Sequence, residues 1–132
     1  MRKLSVKRLT LTNFRCYEQQ RIELDNRPVL LTGSNGAGKT NLLEALSFLI
    51  PGRGLRRAKL RDIGRRSVDG KPLSGLWGVS AELLVGDNNF KVGTGSEYTT
   101  RLDNSSRGRD KRVIKINDAI RVVILASKIA VL

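Results

Sequence analysis

The chain has no histidine, a single cysteine and few aromatic residues. Without histidine the commonest metal ligand is missing, so a metal centre built from side chains alone is not expected. Cys16 by itself cannot make an internal disulfide framework. No run of roughly eighteen apolar residues occurs, which argues against a transmembrane helix. The start, Met1-Arg2-Lys3-Leu4-Ser5-Val6-Lys7, is basic but lacks the apolar core of a signal peptide. These features read as a cytosolic protein with no membrane partner. One tryptophan, two tyrosines and three phenylalanines are present, none interleaved with a basic run, so base stacking along a single strand is not supported. Acid is scarce too: 25 Lys and Arg face 12 Asp and Glu, for a net charge of +13. That imbalance points to a polyanionic partner, with nucleic acid or an acidic membrane face as the usual choices. The length of 132 residues suits one domain with a modest core.

What is present is more specific. Gly33-Ser34-Asn35-Gly36-Ala37-Gly38-Lys39-Thr40 matches the phosphate-binding pattern G-x-x-x-x-G-K-[ST]. Val29-Leu30-Leu31-Thr32 before it reads as a buried strand, and Asn41 to Ile50 after it reads as a helix halted by Pro51-Gly52. Strand, glycine-rich loop and helix form the context in which this motif cradles a nucleoside triphosphate. The helix N-terminus offers unpaired N–H groups and the positive end of its dipole. Gly33, Gly36 and Gly38 let the backbone approach phosphate oxygens closely. Lys39 is expected to reach the β- and γ-phosphates, and the Thr40 hydroxyl to ligate Mg²⁺. The bland alternative is a glycine-rich turn that matches by accident, and the flanking pattern argues against it.

Elsewhere, Leu4, Val6, Leu9, Leu11 and Phe14 mark an early strand whose alternation shifts near Arg8, as at a bulge. Arg21-Ile22-Glu23-Leu24 gives a second alternating run, and Asn26-Arg27-Pro28 a turn. On the helix, Leu42, Leu46 and Leu49 form a core stripe that Leu43 and Ile50 widen. Residues 52–75 form a long basic connection carrying Arg53, Arg56, Arg57, Lys59, Arg61, Arg65 and Arg66. These are candidate DNA-backbone contacts; a solvated charged loop, or arginines paired with acids, is the plainer reading. From about 76 to 117 a β-meander is expected: Trp77 to Val85, a hairpin turn at Asp87-Asn88-Asn89, Phe90-Lys91-Val92, then Tyr98 to Leu102 and Val113 to Ile116.

Asn13-Phe14-Arg15-Cys16-Tyr17, Gly33 to Asn41, Leu42-Leu43-Glu44-Ala45 and Pro51 to Ala58 together resemble the N-terminal part of the ATPase head of the RecF family. That family of bacterial DNA replication and repair proteins lies within the ABC-type group that includes the structural-maintenance-of-chromosomes proteins. The resemblance covers roughly the first 117 residues and is most specific up to Ala58. It implies an α/β P-loop NTPase fold of the ABC-ATPase-head type with an antiparallel β portion, here incomplete. It also implies ATP and Mg²⁺ as cofactors, an ATP-dependent homodimer, and binding to duplex DNA or single-/double-strand junctions. Assistance in recombinase loading at single-strand gaps, links to the SOS response, other recombination-mediator partners and a nucleoid-associated bacterial cytoplasm follow from the same resemblance. Arg15 matches a family position near the nucleotide and joins the binding candidates; a solvated arginine after a strand is the alternative. Asn35 and Asn41 fit the family's G-x-N-G-x-G-K-T-N form, though Asn41 can serve as a first-turn residue without touching ligand.

The departures concern hydrolysis. The group needs a lid-loop glutamine, an apolar strand ending in Asp-Glu, and a Leu-Ser-rich signature. Leu83-Leu84-Val85-Gly86-Asp87 leads into a hairpin, and Val122 to Ala126 ends in Ser127-Lys128. The tail 118–132 does not follow the family, so the expectation is a truncated, frame-altered or cut chain with no assignable catalytic base. Two other readings stay open. One is a different P-loop enzyme such as a nucleotide kinase or GTPase, which would carry an acid after a neighbouring parallel strand or an N-K-x-D motif. The other is a non-catalytic fragment that keeps at most nucleotide binding. If the chain is truncated, Val29 to Thr32 would lose the strand that covers one of its flanks, exposing apolar surface and unpaired backbone groups, an aggregation hazard that the high net charge opposes.

Overall fold

The computed structural model describes residues 3–49, 54–71, 76–97, 111–117 and 119–120. Alternating β-branched and apolar residues form β1 (Leu4–Phe14), β2 (Tyr17–Glu23), β3 (Gly78–Val85), β4 (Asn88–Glu97), β5 (Lys111–Ile116) and β6 (Ala119–Ile120). They make one sheet in the order β2-β1-β3-β4-β5-β6, with every neighbouring pair antiparallel. The register pairs Leu9 with Ile22 on one side and Ala81 on the other, and Leu11 with Val79. Period-two alternation therefore puts Leu9, Leu11, Val79 and Ala81 on one buried face. The pairing of β1 with β3 slips between Val6 and Arg8, where the sequence pattern shifts.

One helix, α1 (Lys39–Ser47), is joined to this sheet through Leu42, Ala45 and Phe48, all members of the same core as the inward strand residues. Three aromatic rings fill the joint: Phe14 and Phe48 meet edge-on with centroids 6.0 Å apart. Trp77 lies 5.8 Å from Phe14 and 5.5 Å from Phe48. Large rings in tilted and edge contact bury much apolar area and add specific attraction, so this trio ties helix to sheet. At the far end of α1, Arg112 of β5 lies 5.0 Å from the Phe48 ring centre and donates to the Phe48 carbonyl, with its Nε on Thr94 Oγ1 at 2.7 Å.

Several expectations need correction. Val29–Thr32 is not a buried strand: the segment pairs with no described strand, and Val29, Leu30 and Leu31 are 58%, 85% and 38% exposed. A parallel-type strand is buried only when neighbours supply its ladder and cover its faces; β2 turns away after Leu24, whose N–H bonds the Lys7 carbonyl at 2.8 Å. The exposure foreseen for an uncovered segment is thus what the structure has. Leu43 is 49% exposed and does not widen the helix stripe, because 42, 45 and 48 take the sheet-facing side. The β3–β4 loop is the two-residue Gly86-Asp87, one position earlier than expected, and Asn88 already pairs with Val85. Gly86 takes φ +60°, the positive value that two-residue hairpin loops favour. Ile50, the Tyr98–Leu102 strand and the tail from Arg121 lie outside the described residues. No helix among the described residues is long and apolar enough to cross a membrane.

Candidate functional site

The glycine-rich loop leaves the exposed Val29–Thr32 segment and turns at Ser34, whose carbonyl accepts from the Ala37 N–H at 3.2 Å. Gly33 to Ala37 are exposed, whereas Gly38 is buried at the start of α1. Gly36 has φ +84° with open space around it, so backbone conformation alone calls for glycine there. Gly38 has two reasons: φ is +102°, and a Cβ would lie 2.6 Å from Tyr17 Oη and 3.1 Å from Cys16 Sγ.

Gly38 is also the N-cap of α1, with no side-chain cap and no acid in the first turn. The Leu42 N–H bonds the Gly38 carbonyl at 3.0 Å. The N–H groups of Lys39, Thr40 and Asn41 precede that bond, which makes this end of the helix a donor cluster with a positive field. Lys39 is half-buried and its Nζ folds back onto the Gly33 carbonyl, spanning the loop from end to start. Thr40 is exposed beside it. Donor N–H groups, one lysine and one exposed threonine hydroxyl fit a polyphosphate and its divalent ion.

Arg15 lies elsewhere in the arrangement. Its Nε and Nη2 donate to the two carboxylate oxygens of Glu44 at 2.7 and 3.0 Å, and its Nη1 donates to the Asp62 carbonyl at 2.8 Å. Glu44 has no exposed side-chain surface. The guanidinium therefore joins the β1–β2 turn, the middle of α1 and the short 3-10 turn Leu60–Asp62. In the sequence Glu44 belongs to Leu42-Leu43-Glu44-Ala45, a stretch that carries the family resemblance without naming a partner for the acid. A lone acid in an apolar helix, with an arginine closing the preceding hairpin, is the signal that could have assigned it a partner. The Asn41 amide is committed as well: its Nδ2 donates to Cys16 Sγ at 3.2 Å, and its Oδ1 accepts from Arg56 Nη1 at 3.1 Å.

The described part of the basic connection divides its cations among different neighbours. Arg56 points at the first turn of α1, 3.9 Å from Glu44 Oε1. Arg65 pairs with Glu18 at 3.9 Å and Arg66 with Asp62 at 3.0 Å. Arg57 and Lys59 are exposed, while Arg53 and the side chain of Arg61 lie outside what is described. The segment is anchored through buried Ile63, whose carbonyl accepts the Arg15 N–H at 2.9 Å, and through the Arg65 N–H on the Asn13 carbonyl at 2.8 Å. Asp87 sits in the β3–β4 hairpin loop with no partner acid beside it in sequence.

The AAA-domain family profile matches residues 8–125. The chain belongs to that family. It is 51% identical over 90 residues to the DNA replication and repair protein RecF of Caulobacter vibrioides, covering 67% of this chain and 23% of that protein. It is 42% identical over 125 residues to the protein of the same name from Agrobacterium fabrum, covering 92% of this chain and 32% of that one. Its fold superposes on a solved structure of the recombination mediator protein RecF-ATPrS in the RecFOR pathway, with TM-score 0.70 and 25% identity over 91% of this chain and 28% of the other. The RecF-ATP structure of the same pathway gives TM-score 0.70 and 26% identity, covering 92% of this chain and 30% of that one. The chain thus spans between about a quarter and a third of the length of these relatives. Resemblance to the RecF ATPase head, read from the motifs, agrees with all of these matches.

Proposed function

We propose that this chain is the nucleotide-binding N-terminal part of a RecF-like DNA replication and repair ATPase, with ATP and Mg²⁺ as its ligands. The observation that carries the reading is the Gly33–Thr40 loop: positive φ at Gly36 and Gly38 delivers an uncapped, acid-free helix N-terminus next to Lys39 and Thr40. Backbone N–H groups of the Gly33–Thr40 loop, apart from that of Ala37, bind the phosphates, Lys39 neutralises the β- and γ-phosphates, and Thr40 holds the metal ion. Asn35 and Asn41 complete the loop, Asn41 by fixing the first turn. Arg15 supports the site from the Glu44 side of the helix. Bound ATP supplies a charge-rich ligand for an ATP-dependent homodimer and for binding of duplex or junction DNA in a bacterial, nucleoid-associated cytoplasm. The relatives described as recombination mediators support that choice of partners.

A second reading has its own observation. Among the described residues, the apolar strand that leads to an acid, β3, ends at Val85 and Asp87 lies in the hairpin loop after it, so no described residue is placed as a general base. This chain then binds nucleotide without hydrolysing it, in keeping with a fragment of the longer protein. Titration calorimetry of Mg-ATP at low salt, beside Lys39→Ala, tests the shared core of both readings. Saturable binding lost in the variant is the expected result; absence of binding in the wild-type chain removes the nucleotide assignment altogether.

A further inference from the structure

The β1–β2 turn runs antiparallel to α1 and touches it once per helical turn. Tyr17 Oη donates to the Gly38 carbonyl at 3.1 Å. Cys16 Sγ accepts from Asn41 Nδ2 at 3.2 Å. Arg15 grips both oxygens of Glu44. Phe14 then packs edge-on against Phe48. Descending positions 17, 16, 15 and 14 thus meet ascending positions 38, 41, 44 and 48, whose spacing of three, three and four follows one face of an α-helix. The turn is also under backbone strain. Arg15 takes φ +51° with no glycine to ease it, while Asn13, at φ +46° near the end of β1, is of a type that tolerates that region. Non-glycine residues persist there only when their surroundings over-determine the conformation.

We propose that this turn is a positioning device for the phosphate-binding loop, with Arg15, Cys16 and Tyr17 as positioning residues that hold the helix N-terminus in its ligand-binding orientation. The inference rests on the nucleotide assignment above and deepens it. Its centre is the Gly38–Lys39 peptide. The carbonyl of that peptide accepts from both Tyr17 Oη and the Leu42 N–H, while its N–H is the first unpaired donor of α1. A hydrogen bond at a carbonyl polarises the same peptide's N–H and strengthens it as a donor. Tyr17 therefore acts on bound phosphate through the backbone without touching it. Arg15 on Glu44 and Cys16 on Asn41 keep the helix from rolling away from that contact. By linkage, phosphate binding at the loop must feed back on the turn with equal coupling free energy. Cys16, exposed and the chain's one cysteine, reports on it.

The test is Mg-ATP titration calorimetry on the full chain and on Tyr17→Phe, combined with the rate of Cys16 alkylation with and without saturating Mg-ATP. Loss of one neutral hydrogen bond is expected to raise Kd about threefold to tenfold in Tyr17→Phe. Nucleotide should change the Cys16 rate in the wild-type chain and change it by a smaller ratio in Tyr17→Phe. Simple shielding of Cys16 by ligand would give the same ratio in both proteins, and that result overturns the inference. So does equal Mg-ATP affinity in the two. Failure of the wild-type chain to bind at all instead removes the nucleotide assignment, and this inference with it. Arg15→Lys, which keeps the charge but loses the two-point grip, is expected to fall below wild type in affinity while retaining the circular-dichroism spectrum; wild-type affinity in that variant also counts against the proposal.

Discussion

Arg15 and Glu44 are unequally placed although they share two hydrogen bonds: the arginine side chain keeps 20% of its surface in water and the glutamate keeps none. A buried pair is costly to break because the survivor is left uncompensated. Truncating either partner is expected to cost about 3 kcal/mol or more, with Arg15→Ala worse than Glu44→Ala. The surviving guanidinium of Glu44→Ala can turn toward water, whereas the buried carboxylate left by Arg15→Ala cannot and keeps only Arg56 at 3.9 Å as a cationic neighbour. Denaturant unfolding of the two variants side by side checks the order, and equal losses contradict it.

Gly38→Ala is expected to destabilise the fold by about 1–3 kcal/mol from the φ +102° backbone alone. The contact of a Cβ with Tyr17 Oη adds to that. Combining it with Tyr17→Phe removes the 2.6 Å contact but leaves the ring carbon at 3.1 Å and the strained φ. The double variant should therefore recover only part of the loss. Full recovery in thermal unfolding would show that backbone strain contributes nothing.

Burial, with the nearby Cys16 as a second influence, pushes the Tyr17 hydroxyl above its ordinary value of 10.0. A raised folded value means the unfolded chain ionises first. Stability from the protonated hydroxyl is complete below the ordinary value and is lost as pH rises through the folded one. Lysines titrate in the same range, so the informative quantity is the difference between proteins. The unfolding midpoint of the wild-type chain should fall more steeply above about pH 10 than that of Tyr17→Phe; parallel curves would sink the assignment.

Leu30 is 85% exposed in a segment whose backbone pairs with no described strand. Such a segment invites association between chains, although net charge +13 opposes it. Leu30→Thr is expected to reduce light scattering and hydrophobic-dye binding. Its unfolding free energy should move by no more than about 0.5 kcal/mol, because little burial is lost. A large loss of stability would mean that Leu30 is covered in solution.

Among the basic candidates, Arg57 and Lys59 are exposed, whereas Arg65 and Arg66 have acidic partners. If the connection meets the DNA backbone, Arg57→Ala and Lys59→Ala should each lower the salt slope of binding by about one, without sequence preference. Arg66→Ala should change it less. Anisotropy titrations over a salt series decide, and unchanged slopes in the first two variants remove the connection as the contact.

Much of the local structure was legible because it depends on neighbours in the chain. The slip near Arg8, the alternation of β3 and the start of α1 after Gly38 all follow from short-range periodicity and glycine placement. Leu43 was misassigned because a helix stripe read from sequence does not say which side the sheet will take. Val29–Thr32 was misread for a related reason: an apolar run is a buried strand only if other strands arrive beside it. At the site, the loop residues were recognisable by type and spacing. The partner of Glu44 was not, since it stands 29 residues away in sequence.

The sequence by itself determined the phosphate-binding loop, the helix that follows it and the family resemblance, because glycine conformation and side-chain chemistry at fixed spacing are local properties. Only the tertiary structure decided that Arg15, Cys16 and Tyr17 climb one face of that helix, and that the arginines of the connection divide between acids, the helix and solvent. Those outcomes depend on which surfaces the antiparallel sheet brings together, and packing of that kind has no signature in any single stretch of chain.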